Sequence, residues 1–185
     1  MQPRIPRQSA QEQDCRRPDT PADDARLSDE LAAVVSGARR RAVRDGDRQI
    51  DSAHLLHSLL ERDPDVYDVF GDGPQIARLL GYLVQRTIGY GLRWQGSVED
   101  SGAVPVMTDG EGLSPLAASA MEHARRRAAG RGDTQARGID LLAAILLDPQ
   151  ARAVEVLDRA GIDANTVRAR IDGRRDEYVG GDTAR

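Results

Sequence analysis

The chain contains no lysine: all 26 of its basic residues are arginine. A P-loop sets a lysine on the nucleotide phosphates, so a conventional Walker-type nucleotidase is excluded, and so is Schiff-base lysine chemistry. Cysteine is nearly as scarce. Cys15 stands alone, so there is no internal disulfide and no cysteine cluster to hold zinc. Aromatic residues make up only 3% of the chain against 39% hydrophobic in total, so a core must be built from Ala, Leu, Val and Ile, which suits helices better than sheets. No apolar run approaches the length of a membrane span. The opening "MQPRIPRQSAQEQDCRRPDTPADDAR" has no apolar segment of the kind a secretory signal needs, and a cytoplasmic location is expected. A net charge of −4 weighs against a general binder of nucleic acid or anionic membrane. Neither Gly-x-Ser-x-Gly nor His-Glu-x-x-His occurs, and nothing orders Ser, His and Asp into a triad, so neither an enzyme nor a cofactor is expected.

What the sequence does have is a repeat. "ARRRA" stands at 38–42 and again at 124–128. At a fixed offset of 86, residues 27–60 lie over 113–146 with 14 of 34 positions identical and no gap. Leu27-Ser28 meets Leu113-Ser114, Gly46-Asp47 meets Gly132-Asp133, and Leu55-Leu56 meets Leu141-Leu142. Chance does not hold one register over that span, so the chain carries a duplicated structural unit.

Each unit reads as four helices. In the first, Ser28 is a natural N-cap for a helix carrying Leu31, Val34, Val35, Ala38 and Ala42 at helical spacing, which Asp45-Gly46-Asp47 ends. Ser52 is expected to cap a second helix through Leu60, stopped at Asp63-Pro64. Helices around 66–70 and 74–88 follow. In the second unit, Ser114-Pro115 opens a helix with proline at its first position, and that helix ends near Gly130. Helices over about 139–147, 150–161 and 163–171 complete it. The expected fold is all-α: two tandem pseudo-symmetric four-helix repeats in one globular unit over 27–173, with repeat 1 at about 27–88 and repeat 2 at about 113–173. Residues 1–26 read as a disordered tail and 174–185 as a flexible one. Residues 89–112 read as a Gly-rich linker carrying Trp94, the single tryptophan, which pins to the bundle or shapes a groove between repeats.

Two further patterns bear on chemistry. Three consecutive arginines on a helix point about 100° apart, so ARRRA reads as a solvated face with one aliphatic stem packed inward. Its alternative, an Arg-rich face of a nucleic-acid-associated regulator, conflicts with the acidic balance. His54 and His57 stand at i, i+3, a spacing that can hold a metal, yet no Cys or Glu pair completes the site and His123 lies in the other unit, so no metal site is expected.

Taken together, "LS" at 27–28, "LSP" at 113–115, "DSAHLLHSLL" at 51–60, "RGIDLLAAILLDP" at 137–149 and "AVEVLDRAGIDANTVRARI" at 153–171 resemble the N-terminal (Clp R) domain of the Clp unfoldases. In that family the domain precedes the ATPase modules and receives adaptors and substrates. Here about twelve residues follow the second repeat, so the resemblance implies a free-standing N-domain without a motor. It implies a non-enzymatic protein- or peptide-binding module acting as adaptor, decoy or sponge. Its partners would be a Clp unfoldase, adaptors, substrates or small cyclic peptides. The residues expected at such a surface are Leu27, Ser28, Asp51, Ser52, His54, Trp94, Leu113, Ser114 and Asp140. Some Clp N-domains bind phosphorylated arginine through a Glu just before the His-Leu-Leu-like stretch. Ala53 and Ile139 hold those places here, so that ligand is not expected to bind well.

Overall fold

The structure, a computed structural model, describes residues 27–71, 73–87, 99 and 112–180. These form eight helices: α1 Asp29–Asp45, α2 Ser52–Arg62, α3 Pro64–Phe70, α4 Pro74–Thr87, α5 Pro115–Gly130, α6 Gly138–Ile145, α7 Arg152–Arg159 and α8 Ala164–Gly180. The architecture is all-α, and α1 and α5 begin 86 residues apart, as do α2 and α6.

The helix ends follow local chemistry. Ser28 Oγ accepts from the Leu31 N–H at 3.2 Å, and Ser114 Oγ accepts from the Ala117 N–H at 3.1 Å, so the two opening serines are equivalent N-caps. Gly46 and Gly132 take positive φ (74° and 82°), which lets the next N–H turn back onto the helix. Asp47 N thus donates to Ala42 O at 2.9 Å and Asp133 N to Ala128 O at 3.0 Å. One expectation is corrected: the N-cap of α2 is Asp51, and Ser52 is the first helical residue. Asp51 caps because its carboxylate oxygen accepts from the His54 N–H at 3.0 Å, while Ser52 Oγ is bonded to Glu99 and to the Ala153 N–H. Helix α8 runs to Gly180, seven residues beyond the 173 at which the periodic sequence was taken to end.

The ARRRA segments divide as their spacing requires. Ala38, Ala42, Ala124 and Ala128 are buried. Of the arginines, Arg41 pairs with Glu61, and Arg127 donates to Asp172 at 2.9 Å. The third arginine of each triplet therefore ties its helix to a neighbour, and the alanines let that helix approach closely.

The two units do not stand side by side; they exchange contacts. Leu27, at the head of the first, bridges to Ala136 in the second, and Leu113, at the head of the second, bridges to Ile50 in the first. Ser28 N donates to Ala136 O at 3.0 Å and Ser114 N to Ile50 O at 2.8 Å. Since 27 corresponds to 113 and 50 to 136, the two bridges are related by one approximate dyad. The helices obey the same rule. Helix α3 packs on α6 and α7 on α2, while α4 packs on α7 and α3 on α8. Helices α2 and α6 are central, with Ser52 through Leu60 buried without interruption. One apolar core of Leu, Val, Ile and Ala, with Met121, spans both units.

Candidate binding site

The residues singled out from the sequence converge on the dyad, but they lie inside it. Leu27 and Ser114 are buried, as are Asp51, Ser52, His54 and Asp140, while Ser28 and Leu113 are half-buried. Trp94 lies outside the described residues. These positions set the register of the two halves.

At their centre is a residue that no sequence pattern marks. Glu99, buried, accepts from Ser52 N at 2.8 Å, Arg152 N at 2.8 Å and Ser114 Oγ at 2.8 Å, and from Ser52 Oγ. Ser52 Oγ in turn accepts from Ala153 N at 3.0 Å. One carboxylate thus answers the N-termini of α2 and α7 and the cap of α5, where helix dipoles favour negative charge. Alongside it, Arg152 Nη1 donates to Asp51 Oδ2 at 2.6 Å. No periodicity marks Glu99, because its role depends on three helix ends meeting from both halves.

The two histidines expected to share a face diverge. His57 Nε2 stands 3.3 Å from Glu61. His54 turns the other way, with Nε2 at 3.3 Å from Asp47 and 3.7 Å from Asp45, and Nδ1 at 2.9 Å from Asp51 Oδ1. In the second half the equivalent place is an ion cluster. Arg131 donates to both Asp140 oxygens and, at 2.9 and 3.0 Å, to Asp133. The bonds to Asp140, then Asp133, hold the guanidinium protonated even beyond its ordinary range. Asp140 also accepts from the Arg137 N–H at 3.1 Å, so its carboxylate is committed.

The open surface lies elsewhere, in the second half. Leu147, 55% exposed, stands between two concavities. One, of about 320 Å³, is lined by Leu116, Ala120, His123, Ala144 and Pro149. The other, of about 860 Å³, is lined by Leu146, Val154 and Ile162, by Glu155, Asp158 and Asp163, and by Arg168. The first half carries different chemistry at the corresponding places. Leu147 corresponds to Glu61, which is held by Arg41. His123 corresponds to Gly37, where an added Cβ would come within 3.0 Å of the Arg62 side chain lying across it. The duplicated helices have therefore diverged: charged side chains stand at these places in the first half, and Leu147 and His123 line a concavity in the second. Sequence reasoning passed over Leu147 because a leucine ending an apolar run reads as core.

A dyad-related pair of four-helix units with exchanged bridges defines a class of fold, that of the Clp-type N-terminal domain. Solved structures agree. The N-terminal domain of the caseinolytic protease associated chaperone ClpD from Arabidopsis thaliana matches with a TM-score of 0.60 at 17% identity, covering 82% of this chain and 95% of that one. The Hsp104 N-terminal domain from Candida albicans matches with a TM-score of 0.61 at 12% identity, covering 80% and 91%. A structure from preliminary investigations of a malarial protein secretion system matches with a TM-score of 0.57 at 12% identity, covering 80% and 94%. No family model matches the chain, and neither does any curated protein. Among the described residues, no helix is long and apolar enough to cross a membrane.

Proposed function

We propose that this chain is a protein-recognition module of the Clp protease system, binding a peptide segment of its partner without turning it over, as adaptor, decoy or sequestering domain. The observation that carries the reading is the divergence of the two halves. The fold buries the dyad-related positions for stability, yet leaves Leu147 exposed between two concavities, where the first half carries the Arg41–Glu61 pair and the Arg62 side chain. An exposed apolar residue in a groove is where a soluble domain takes a partner. On the rim Asp158 and Asp163 outnumber Arg168, which favours a segment that joins an apolar anchor to a basic residue. Adaptors, substrates and small cyclic peptides all offer such chemistry, and the Clp-type fold supports a partner from that system.

The test is capture from native lysate by the wild-type chain and by Leu147→Arg, with the captured proteins identified. Enrichment of a Clp unfoldase, its adaptors or its substrates by wild type, and its loss in the variant, is the expected outcome. Equal capture by both sinks the groove. Capture of nucleic acid, with affinity falling by orders of magnitude between low and moderate salt, would favour the Arg-face reading instead.

A further inference from the structure

The two halves differ most sharply in charge at the turn between their first and second helices. In the second half, positions 131, 133, 137 and 140 are Arg, Asp, Arg and Asp, and sum to zero. Their dyad equivalents 45, 47, 51 and 54 are Asp, Asp, Asp and His, and sum to −3 with the histidine neutral. Where Arg131 bridges Asp133 and Asp140, the first half has exchanged the guanidinium for Asp45. Arg152 answers Asp51, and Arg44 approaches Asp45 Oδ1 at 3.3 Å. Neither supplies a partner to His54 Nε2, which is buried and makes no hydrogen bond among the described residues. His54 itself is 1% exposed. Asp47, Asp51 and His54 each place a ligand-capable atom within 4.8 Å of the others.

We propose that the first half binds a divalent transition-metal ion of the zinc class at this turn, held by His54 Nε2 and Asp47, with Asp45 beside them and Asp51 orienting the ring. The separations fit. Nε2 lies 3.3 Å from Asp47 Oδ2, and an ion about 2.1 Å from each atom subtends an angle near tetrahedral. Imidazole nitrogen with carboxylate oxygen is a donor set that zinc accepts. The other ring nitrogen already has what a ligating histidine needs: Nδ1 stands 2.9 Å from Asp51 Oδ1. A carboxylate in that place fixes the tautomer and strengthens the ligand. In the metal-free chain, Nδ1 accepts from the Asp51 N–H at 3.1 Å, so the ring proton is on Nε2. Binding moves that proton to Nδ1, which then donates to Asp51 Oδ1 and no longer accepts from the Asp51 N–H. Asp47 is only half-buried, so the ion has a route in and water completes its shell. The ion's role is to join α1 to α2, as the Arg131 cluster joins α5 to α6.

The experiment is calorimetric titration of zinc chloride into the full chain carrying Cys15→Ser, which removes the single thiol, with thermal melting in parallel. One saturable site in the micromolar range and a rise in melting temperature with zinc are expected. Asp47→Asn should weaken binding at least tenfold. Asp45→Arg, which copies the second half, should abolish it while the variant melts no lower than metal-free wild type. His57→Asn with His123→Asn should leave it intact. Absence of saturation in the micromolar range overturns the proposal. So does binding that survives Asp45→Arg, or binding that disappears only with His57 and His123.

Discussion

At the residue scale, Ala53 is wholly buried and Ile139 half-buried, and neither supplies the carboxylate through which the resemblance would have phosphoarginine held. The neighbouring carboxylates do not substitute. Asp51 holds the His54 N–H and Arg152, and Asp140 holds Arg131. Loss of a charge-assisted contact costs about 1.5–3 kcal/mol, roughly ten- to a hundredfold per site. Free phosphoarginine should therefore show no saturable micromolar binding in calorimetry; two such sites would contradict the assignment of Ala53 and Ile139. His57 makes a second residue-scale prediction. Burial pushes its imidazole down to about 4, with the Arg41 charge adding to the shift and Glu61 opposing it. The folded chain holds His57 neutral where the unfolded chain, near 6.5, takes up a proton. Between about pH 6.5 and 4 the unfolded state binds more protons, so stability falls as pH drops through that window and levels off below it. Urea midpoints at pH 7 and pH 5 check this: His57→Gln should show the smaller drop, and an equal drop would remove His57 as the cause.

At the element scale, helix ends carry the structure. Glu99→Ala leaves the N–H groups of Ser52 and Arg152 buried without their carboxylate. A loss of at least about 1.5–3 kcal/mol in urea denaturation is expected, since a buried donor left unanswered keeps its full desolvation penalty. A change within a few tenths would show that water answers those groups equally well. Gly138, the first residue of α6, is equally constrained although its φ is ordinary. A methyl there would run into the Asp63 carboxylate, which caps α3, and into Leu59. Alanine usually favours a helix over glycine, but here Gly138→Ala should cost about 1–3 kcal/mol through overpacking. A melting temperature equal to or above wild type would mean that Asp63 moves aside freely. Much at this scale was legible beforehand. Ser28, Ser114, Pro115 and the Gly46 and Gly132 stops all work through neighbours a few residues away. The cap of α2 was misplaced by one residue, because Asp51 and Ser52 are both good caps and only their burial partners choose between them.

At the scale of the whole molecule, the exchanged bridges make each half a part of the other. Leu27 pairs with Ala136 and Leu113 with Ile50, and α3 and α7 each cover the central helix of the opposite half. Separating the halves exposes the faces of α2 and α6 that these helices cover, and small helical units with alanine-rich cores have little apolar area to spare. Residues 27–173 should melt in a single calorimetric transition, and neither half expressed alone should give a cooperative one. Two separated transitions in the intact chain would show that the halves fold independently.

The sequence by itself determined the helical class, the duplication and its register, and most helix boundaries. Each of these is encoded in local periodicity, in capping chemistry, or in identity at a constant offset. Only the tertiary structure decided how the halves join, because Glu99, Arg152 and Asp51 meet across distances in sequence that no pattern spans. It also decided what surrounds the end of each central helix. Leu147 and Glu61 occupy equivalent places, and Leu60 and Leu146 before them are both buried. Glu61 and Leu147 themselves both face solvent, but Arg41 reaches Glu61 from α1, while Leu147 stands at the edge of two concavities. The same holds for His54. Its spacing to His57 suggested a shared face, yet the ring is set by carboxylates from the α1–α2 turn, which come near it only once the two helices pack.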